Sequence, residues 1–202
     1  VAEGGCAHKP DDDGESRGNR PVMNVSWDDI QSYLKWLNAK LELTGKADRF
    51  RLPSEAEWEY FARAGVAGAY PFGNNSADEL CEYANLFDNS TWREFPDLTP
   101  IDCRDGYTRL APVGEFEPNN FGVFDVIGNV SEWTEDCFHR NYKGSPVNGA
   151  AWTDGSKCKY RIIRGGSWFS RESDSKAFTR KRSQKHLRHQ HVGFRIVRTL
   201  KN

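Results

Sequence analysis

Two carboxylates stand inside an otherwise apolar run. Across residues 119–136, Asp125 and Glu132 sit among Phe121, Val123, Phe124, Val126, Ile127, Val130 and Trp133, and Gly122 and Gly128 add backbone freedom. A carboxylate among apolar side chains is costly unless it is paired or bound to a cation. Two carboxylates combined with turn carbonyls form a hard-oxygen site, which suits Ca2+ better than a transition metal. The alternative is a pair of solvent-facing acids on a half-buried element. A second group of chemically capable residues lies further along. His186, His189 and His191 are close in sequence but lack the His-x-x-x-His spacing of a helix-face metal motif, so each is expected to be satisfied or solvated. Arg180, Lys181, Arg182, Lys185, Arg188 and Arg195 form a basic set that would steer an anionic substrate. A solvated face is the plainer reading, and the spaced aromatics of an RNA platform are missing from it.

The whole chain bounds what can hold these residues in place. It has 202 residues, a formal net charge of −1 and 37% hydrophobic residues, which fits one large domain or two small ones with a real core. So balanced a charge gives no reason to expect a nucleic-acid or membrane partner. No apolar run approaches the ~20 residues of a membrane helix. Val1 is not a natural start, so the chain is expected to begin inside a longer precursor. The five cysteines, Cys6, Cys81, Cys103, Cys137 and Cys158, contain no CxxC pair, which argues against zinc or thioredoxin-like chemistry. Cys81 and Cys103 flank one segment and Cys137 and Cys158 another. Two disulfides with Cys6 left over are expected in an oxidising compartment, with buried cytosolic thiols as the alternative.

Residues 1–20 are polar and turn-rich and read as an N-terminal loop region. A helix is expected to start at Ser26, with Asp29 completing a capping box, Ile30, Leu34, Leu37 and Leu41 following at helical spacing, and Gly45 as the stop. The same grammar recurs with Ser54, Glu57, then Trp58, Phe61 and Ala62 as the buried face, and Gly65 as the stop. Beyond residue 66 helical periodicity disappears. Expected strands are Leu110–Val113, Val123–Val130, Lys159–Ile163 and Gly193–Val197. Two early helices and a loop-rich β half make one α+β domain over residues 21–202.

Seven sequence words carry a resemblance. They are Pro21-Val-Met-Asn-Val-Ser-Trp27, the segment from Arg51 to Tyr60 (RLPSEAEWEY), Tyr70-Pro-Phe-Gly73, Ala111-Pro-Val-Gly114, Gly128-Asn-Val-Ser-Glu-Trp133, Arg164-Gly-Gly-Ser-Trp168 and Gly193-Phe-Arg195. In this order, from about Pro21 to the C-terminus, they resemble the formylglycine-generating enzyme (sulfatase-modifying factor) family. The resemblance implies a C-type-lectin-like fold with little regular secondary structure and structural Ca2+ at one or two sites. One implied site is Asn85, Leu86, Asp105 and Tyr107; the other is Asp125, Gly128, Val130 and Glu132, the same carboxylates that stand in the apolar run.

The chain departs from the family at the active site. Formylglycine-generating enzymes bind copper through two cysteines after the Gly-Gly-Ser word, and here Ser170 and Ser175 stand at those positions. Two hydroxyls cannot replace two thiolates as Cu(I) ligands, so neither copper nor formylglycine synthesis is expected. The iron-dependent sulfoxide synthase branch needs a His-rich helical domain that this sequence lacks. The copper-free branch includes a periplasmic oxidoreductase that oxidises the dihydro-chromophore of the siderophore pyoverdine. That likeness implies an enzyme acting on a small or peptidic siderophore precursor, with Glu172 as acid/base, Ser170 and Ser175 beside it, and Ser167, His191 and Arg180 as substrate contacts. No nucleotide-binding Gly-rich word marks an electron acceptor. The implied compartment is the periplasm, with an extracellular or secretory-lumen location as the alternative. The competing function is a non-catalytic, Ca2+-stabilised recognition module, since retroelement-diversified surface receptors also resemble this family; residues 169–192 would then be its recognition loop. A weaker reading is a secretory-pathway paralogue that binds partner enzymes without modifying them.

Overall fold

A computed structural model describes residues 6–15, 18–43, 45, 48–73, 79–154 and 158–200. Helix α1 (Trp27–Lys40) starts as the sequence requires: the Ser26 hydroxyl accepts the Asp29 N–H and the Asp29 carboxylate accepts the Ser26 N–H. Ile30 and Leu34 are buried, but Leu41 lies past the helix end and is half exposed. The helix stops before Gly45, because Glu42 (φ 55°) takes the left-handed conformation that was expected of the glycine. Strand β1 (Arg49–Arg51) leads into α2 (Glu55–Arg63), capped by the Ser54–Glu57 box. Helix α2 ends on left-handed Ala64 followed by Gly65, as expected, and buries Trp58 and Ala62; Phe61 packs at the edge. A one-turn helix α3 (Leu80–Tyr83) follows where no periodicity announced one.

The β half differs more from the sequence reading. No strand spans residues 123–130, because Asp125 (φ 52°), Gly128 (φ 81°) and Asn129 (φ 56°) are left-handed and the chain turns there. The strand begins just after, as β2 (Ser131–Cys137). Residues 110–113 also form no strand. Strand β3 (Tyr160–Arg164) falls one residue from its expected place. The expected strand 193–197 divides into β5 (Val192–Gly193) and β6 (Val197–Thr199), which join different sheets. Strand β4 (Lys181–Gln184) is all polar and gave no alternating signal. The larger sheet has the order β4-β3-β2-β5, antiparallel except for the parallel β2–β5 pair, and β1 pairs with β6 antiparallel.

Tryptophan indoles knit the layers. Trp27 donates to the Thr134 carbonyl and Trp133 to the Val25 carbonyl, so α1 and β2 are joined by hydrogen bonds as well as by apolar contact. Both expected disulfides are present, Cys81–Cys103 and Cys137–Cys158, and Cys6 is free. No helix among the described residues is long and apolar enough to cross a membrane.

Candidate functional site

The left-handed turn at 125–129 delivers Asp125 and Glu132 to one wall of a cavity of about 620 Å³, which Phe124, Phe194 and Arg195 also line. Glu132 is buried. Its Oε2 accepts from Trp58 Nε1 at 2.7 Å and Arg195 Nε at 2.6 Å, and its Oε1 accepts from Arg195 Nη2 at 2.6 Å. Arg195 Nη2 also donates to the Asp125 carbonyl at 2.9 Å. Asp125 Oδ2 accepts the Gly114 N–H at 2.7 Å, while Asp125 Oδ1 is buried with no partner. Burial raises the Asp125 pKa, against the Gly114 N–H and the Arg195 charge, which lower it.

The other expected ion site has the same mark. Asn85 is fully buried, and its Nδ2 donates to the Arg109 carbonyl at 2.7 Å, which fixes the amide orientation. Its Oδ1 is left without a partner. Asp105 Oδ1 accepts the Tyr107 N–H at 2.7 Å and Asp105 Oδ2 the Leu86 N–H at 3.2 Å, so the four expected ligand residues are gathered. Burial, joined by the Asp88 carboxylate alongside, pushes the Asp105 carboxyl up to about 7 despite those N–H donors.

Four buried side-chain polar atoms among the described residues lack partners, and the two that are oxygens are Asn85 Oδ1 and Asp125 Oδ1, one in each expected ion site. An orphaned buried acceptor costs about 1–3 kcal/mol, which a bound cation would remove. Glu132 Oε1 takes a single hydrogen bond and keeps a lone pair for an ion. Among the described residues no three His, Cys, Asp or Glu side chains gather into a metal site by themselves, so an ion at either place would depend on amide and main-chain oxygens. That donor set fits Ca2+.

The loop after β3 holds the expected catalytic residues. Gly166 (φ 75°) is required by close packing, since a Cβ there would lie 2.5 Å from Ser175 Oγ. Ser167, Ser170 and Ser175 are all buried. Ser170 Oγ accepts the Ser167 N–H at 3.0 Å and lies 3.2 Å from Ser167 Oγ; Ser175 Oγ donates to the Arg171 carbonyl at 2.9 Å. These hydroxyls are committed to the loop's own turns. Glu172 opens a 3-10 turn (Glu172–Asp174) at the surface, with the Tyr70 hydroxyl 3.4 Å from its carboxylate. Its exposure leaves the carboxylate outside any closed cleft.

Among the described residues no hydrogen bond joins the His191 or Arg180 side chain to that hydroxyl cluster. The His191 ring lies tilted against His189, 5.5 Å between centroids, and burial, with His189 and Lys181 nearby, lowers it to about 4, so the imidazole is neutral at pH 7. Arg180 clamps Glu55 through Nε at 2.5 Å and Nη2 at 2.8 Å and lies over the Tyr142 ring. Glu55 and Tyr142 line a separate cleft of about 410 Å³ on the outer side of α2. Sequence reasoning missed this ion-pair wall, whose members are scattered from Glu55 to Arg180. It also missed Tyr70 beside Glu172 and Asp88 beside Asp105. Asp88 carries no signal beyond the turn-forming run Asp88-Asn-Ser90.

Comparison with known proteins places this geometry. The model of the sulfatase-modifying factor enzyme 1-like domain matches residues 1–200. The formylglycine-generating enzyme of Mus musculus is 35% identical over 166 residues, 81% of this chain and 39% of that protein. An inactive C-alpha-formylglycine-generating enzyme 2 of Mus musculus is 36% identical over 137 residues, 66% of this chain and 38% of that protein. The structure of PvdO from Pseudomonas aeruginosa superposes with a TM-score of 0.76 at 37% identity, covering 90% of this chain and 63% of that one. Treponema denticola variable protein 1 shares the fold, with a TM-score of 0.70 at 24% identity over 95% of this chain and 75% of that one. The chain spans well under two thirds of the length of these curated relatives. The C-type-lectin-like fold expected from the sequence words fits this set.

Proposed function

The chain belongs to the formylglycine-generating enzyme, or sulfatase-modifying factor, family, and on that premise we propose that it is a copper-free oxidoreductase of the branch that completes a siderophore chromophore. The observation that carries this reading is the pair of buried serines, Ser170 and Ser175, at the copper-thiolate positions of a fold shared with PvdO. The substrate is a dihydro-chromophore on a peptidic precursor of the pyoverdine kind. Oxidising adjacent ring atoms needs a base that takes one hydrogen as a proton, and that is the part assigned to Glu172. The Tyr70 hydroxyl, 3.4 Å from the Glu172 carboxylate, steadies it. The serine hydroxyls set the loop. Two disulfides suit a periplasmic home. Glu172→Gln should slow maturation of the dihydro-precursor by about 10²-fold, the usual contribution of a positioned base. Turnover at the wild-type rate in that variant rules out the acid/base role.

We also propose that Ca2+ occupies the Asn85–Asp105 and Asp125–Glu132 sites, supported by the two orphaned oxygens. Melting should be clearly higher in Ca2+ than in EDTA, since a ligand at 100 times its Kd stabilises by about 2.7 kcal/mol. Equal melting temperatures exclude both sites.

A second reading has an observation in its favour. Glu172 is exposed and the hydroxyls are shut in, as they would be in a recognition module that performs no chemistry. An inactive paralogue within the family is consistent with that role. Wild-type protein that binds the precursor with no turnover would select it.

A further inference from the structure

We infer that Asp88, which lies outside the four expected ligands, is the positioning residue of the Asn85–Asp105 ion site. The inference rests on the calcium reading of that site. Asp88 is fully buried in the segment that carries Asn85 and Leu86. Its Oδ2 accepts the Asp105 N–H at 2.5 Å and the Ser90 hydroxyl at 3.2 Å, and its Oδ1 accepts the Ser90 N–H at 2.7 Å and the Thr91 N–H at 3.2 Å. The residues it holds reach the remaining ligands. Ser90 Oγ accepts the Gly106 N–H at 3.2 Å, and Thr91 Oγ1 lies 3.5 Å from the Tyr107 carbonyl. One carboxylate thus fixes the whole turn Asp105-Gly106-Tyr107 against the Asn85–Thr91 segment.

The frame around it is rigid. The Cys81–Cys103 disulfide and the bonds from Ile101 N to Phe87 O and from Asn89 N to Cys103 O tie the two segments side by side. Among the described residues neither Asp88 nor Asp105 forms an ion pair with a basic side chain. A buried carboxylate beside a half-buried one, with no counter-charge, is unfavourable in the bare protein and favourable around a cation. Asn85 Oδ1, buried and without a partner, is the acceptor left over for that cation. Asp88 has its own oxygens filled by N–H and O–H donors. Its part is therefore orientation, with Asp105 doing the coordinating.

Calorimetric titration of chelator-stripped protein with CaCl2 tests this in the wild type, Asp88→Asn and Asp125→Asn. Asp125→Asn identifies which binding event belongs to which site. Asp88→Asn should weaken the Asn85–Asp105 event by about tenfold or more, the usual penalty for losing an outer-shell partner, and leave the Asp125–Glu132 event at wild-type affinity. A general structural weakening would instead depress both events together, which would overturn the inference. Wild-type affinity at both sites in Asp88→Asn overturns it as well, with the calcium reading intact. A wild type that takes up no Ca2+ sinks the calcium reading and this inference with it. Should Asp88→Asn fail to fold, Ser90→Ala, which removes the hydroxyl that links Asp88 to the Gly106 N–H, serves in its place with a smaller selective loss expected; unchanged affinity there overturns the inference.

Discussion

Replacing Arg164 with methionine is expected to cost about 3–5 kcal/mol, the range for breaking a buried ion-pair network by deleting one partner. Arg164 ends β3 and is 1% exposed. Its Nη2 pairs with Glu59 and donates to the Ala177 carbonyl, and its Nη1 reaches Glu55 at 3.3 Å and the Phe178 and Thr179 carbonyls at 3.2 and 3.1 Å. Methionine fills much of the same volume over the Trp58 ring but strands three carbonyls. Glu55 would keep Arg180, and Glu59 would keep Arg63, so the carboxylates are only partly abandoned. The carbonyls of residues 177–179 have no such second donor in that network. They end the loop that starts at Gly165, so one guanidinium closes both ends of the segment carrying Ser167, Ser170, Glu172 and Ser175. Denaturant unfolding measures the loss, and hydrogen exchange at Ala177 and Thr179 should show that loop opening first. Arg164→Lys should fall between the two, since it keeps the charge and loses the planar fork. A methionine variant within 1 kcal/mol of wild type would mean that the cluster contributes little net stability.

That cluster also shows where sequence reasoning stops. Ser26 with Asp29 and Ser54 with Glu57 were legible because a capping box is complete within four residues. The disulfides were legible because each pair brackets one segment of similar length. Arg180, by contrast, reads as part of a basic run, and nothing local reveals that Glu55 lies 125 positions away and takes its guanidinium. Strand β4 was invisible for a related reason: Lys181–Gln184 is held by backbone pairing to β3 and has no apolar face of its own. Residues 123–130 misled in the opposite direction. Their apolar density looked like a strand, but three left-handed residues turn the chain and aim Asp125 and Glu132 inward. At the two proposed ion sites the candidate residues came from the sequence words, while the orphaned oxygens and the Asp88 hub required tertiary structure.

Gly128→Ala is the substitution expected to do the most damage for a single added methyl group. Gly128 has φ 81°, and a Cβ built there would lie 2.2 Å from the Asn85 carbonyl oxygen and 2.9 Å from its carbonyl carbon. The obstacle is backbone, so no side-chain rotation relieves it. Asn129 N donates to that same Asn85 carbonyl at 2.9 Å, and Gly128 N donates to the Gly165 carbonyl at 3.1 Å. Any shift that admits the methyl group therefore disturbs the Gly-Gly-Ser word and both proposed ion sites at once. The left-handed backbone of a non-glycine residue costs about 1–3 kcal/mol, and forced overpacking adds about 1–3 more. The sum, roughly 4 kcal/mol, is a large part of the 5–15 kcal/mol that holds a domain together. Gly122→Ala is the matched control: φ is 72° and nothing lies within 4 Å of its added Cβ, so only the same backbone cost of about 1–3 kcal/mol applies. Equilibrium unfolding of the two variants in EDTA separates the steric cost from lost ion binding. Repeating it in Ca2+ should widen the gap, because Gly128→Ala also displaces Asn85 while Gly122→Ala leaves it in place. Equal losses in the two variants would mean that the 85–128 contact is loose enough to give way.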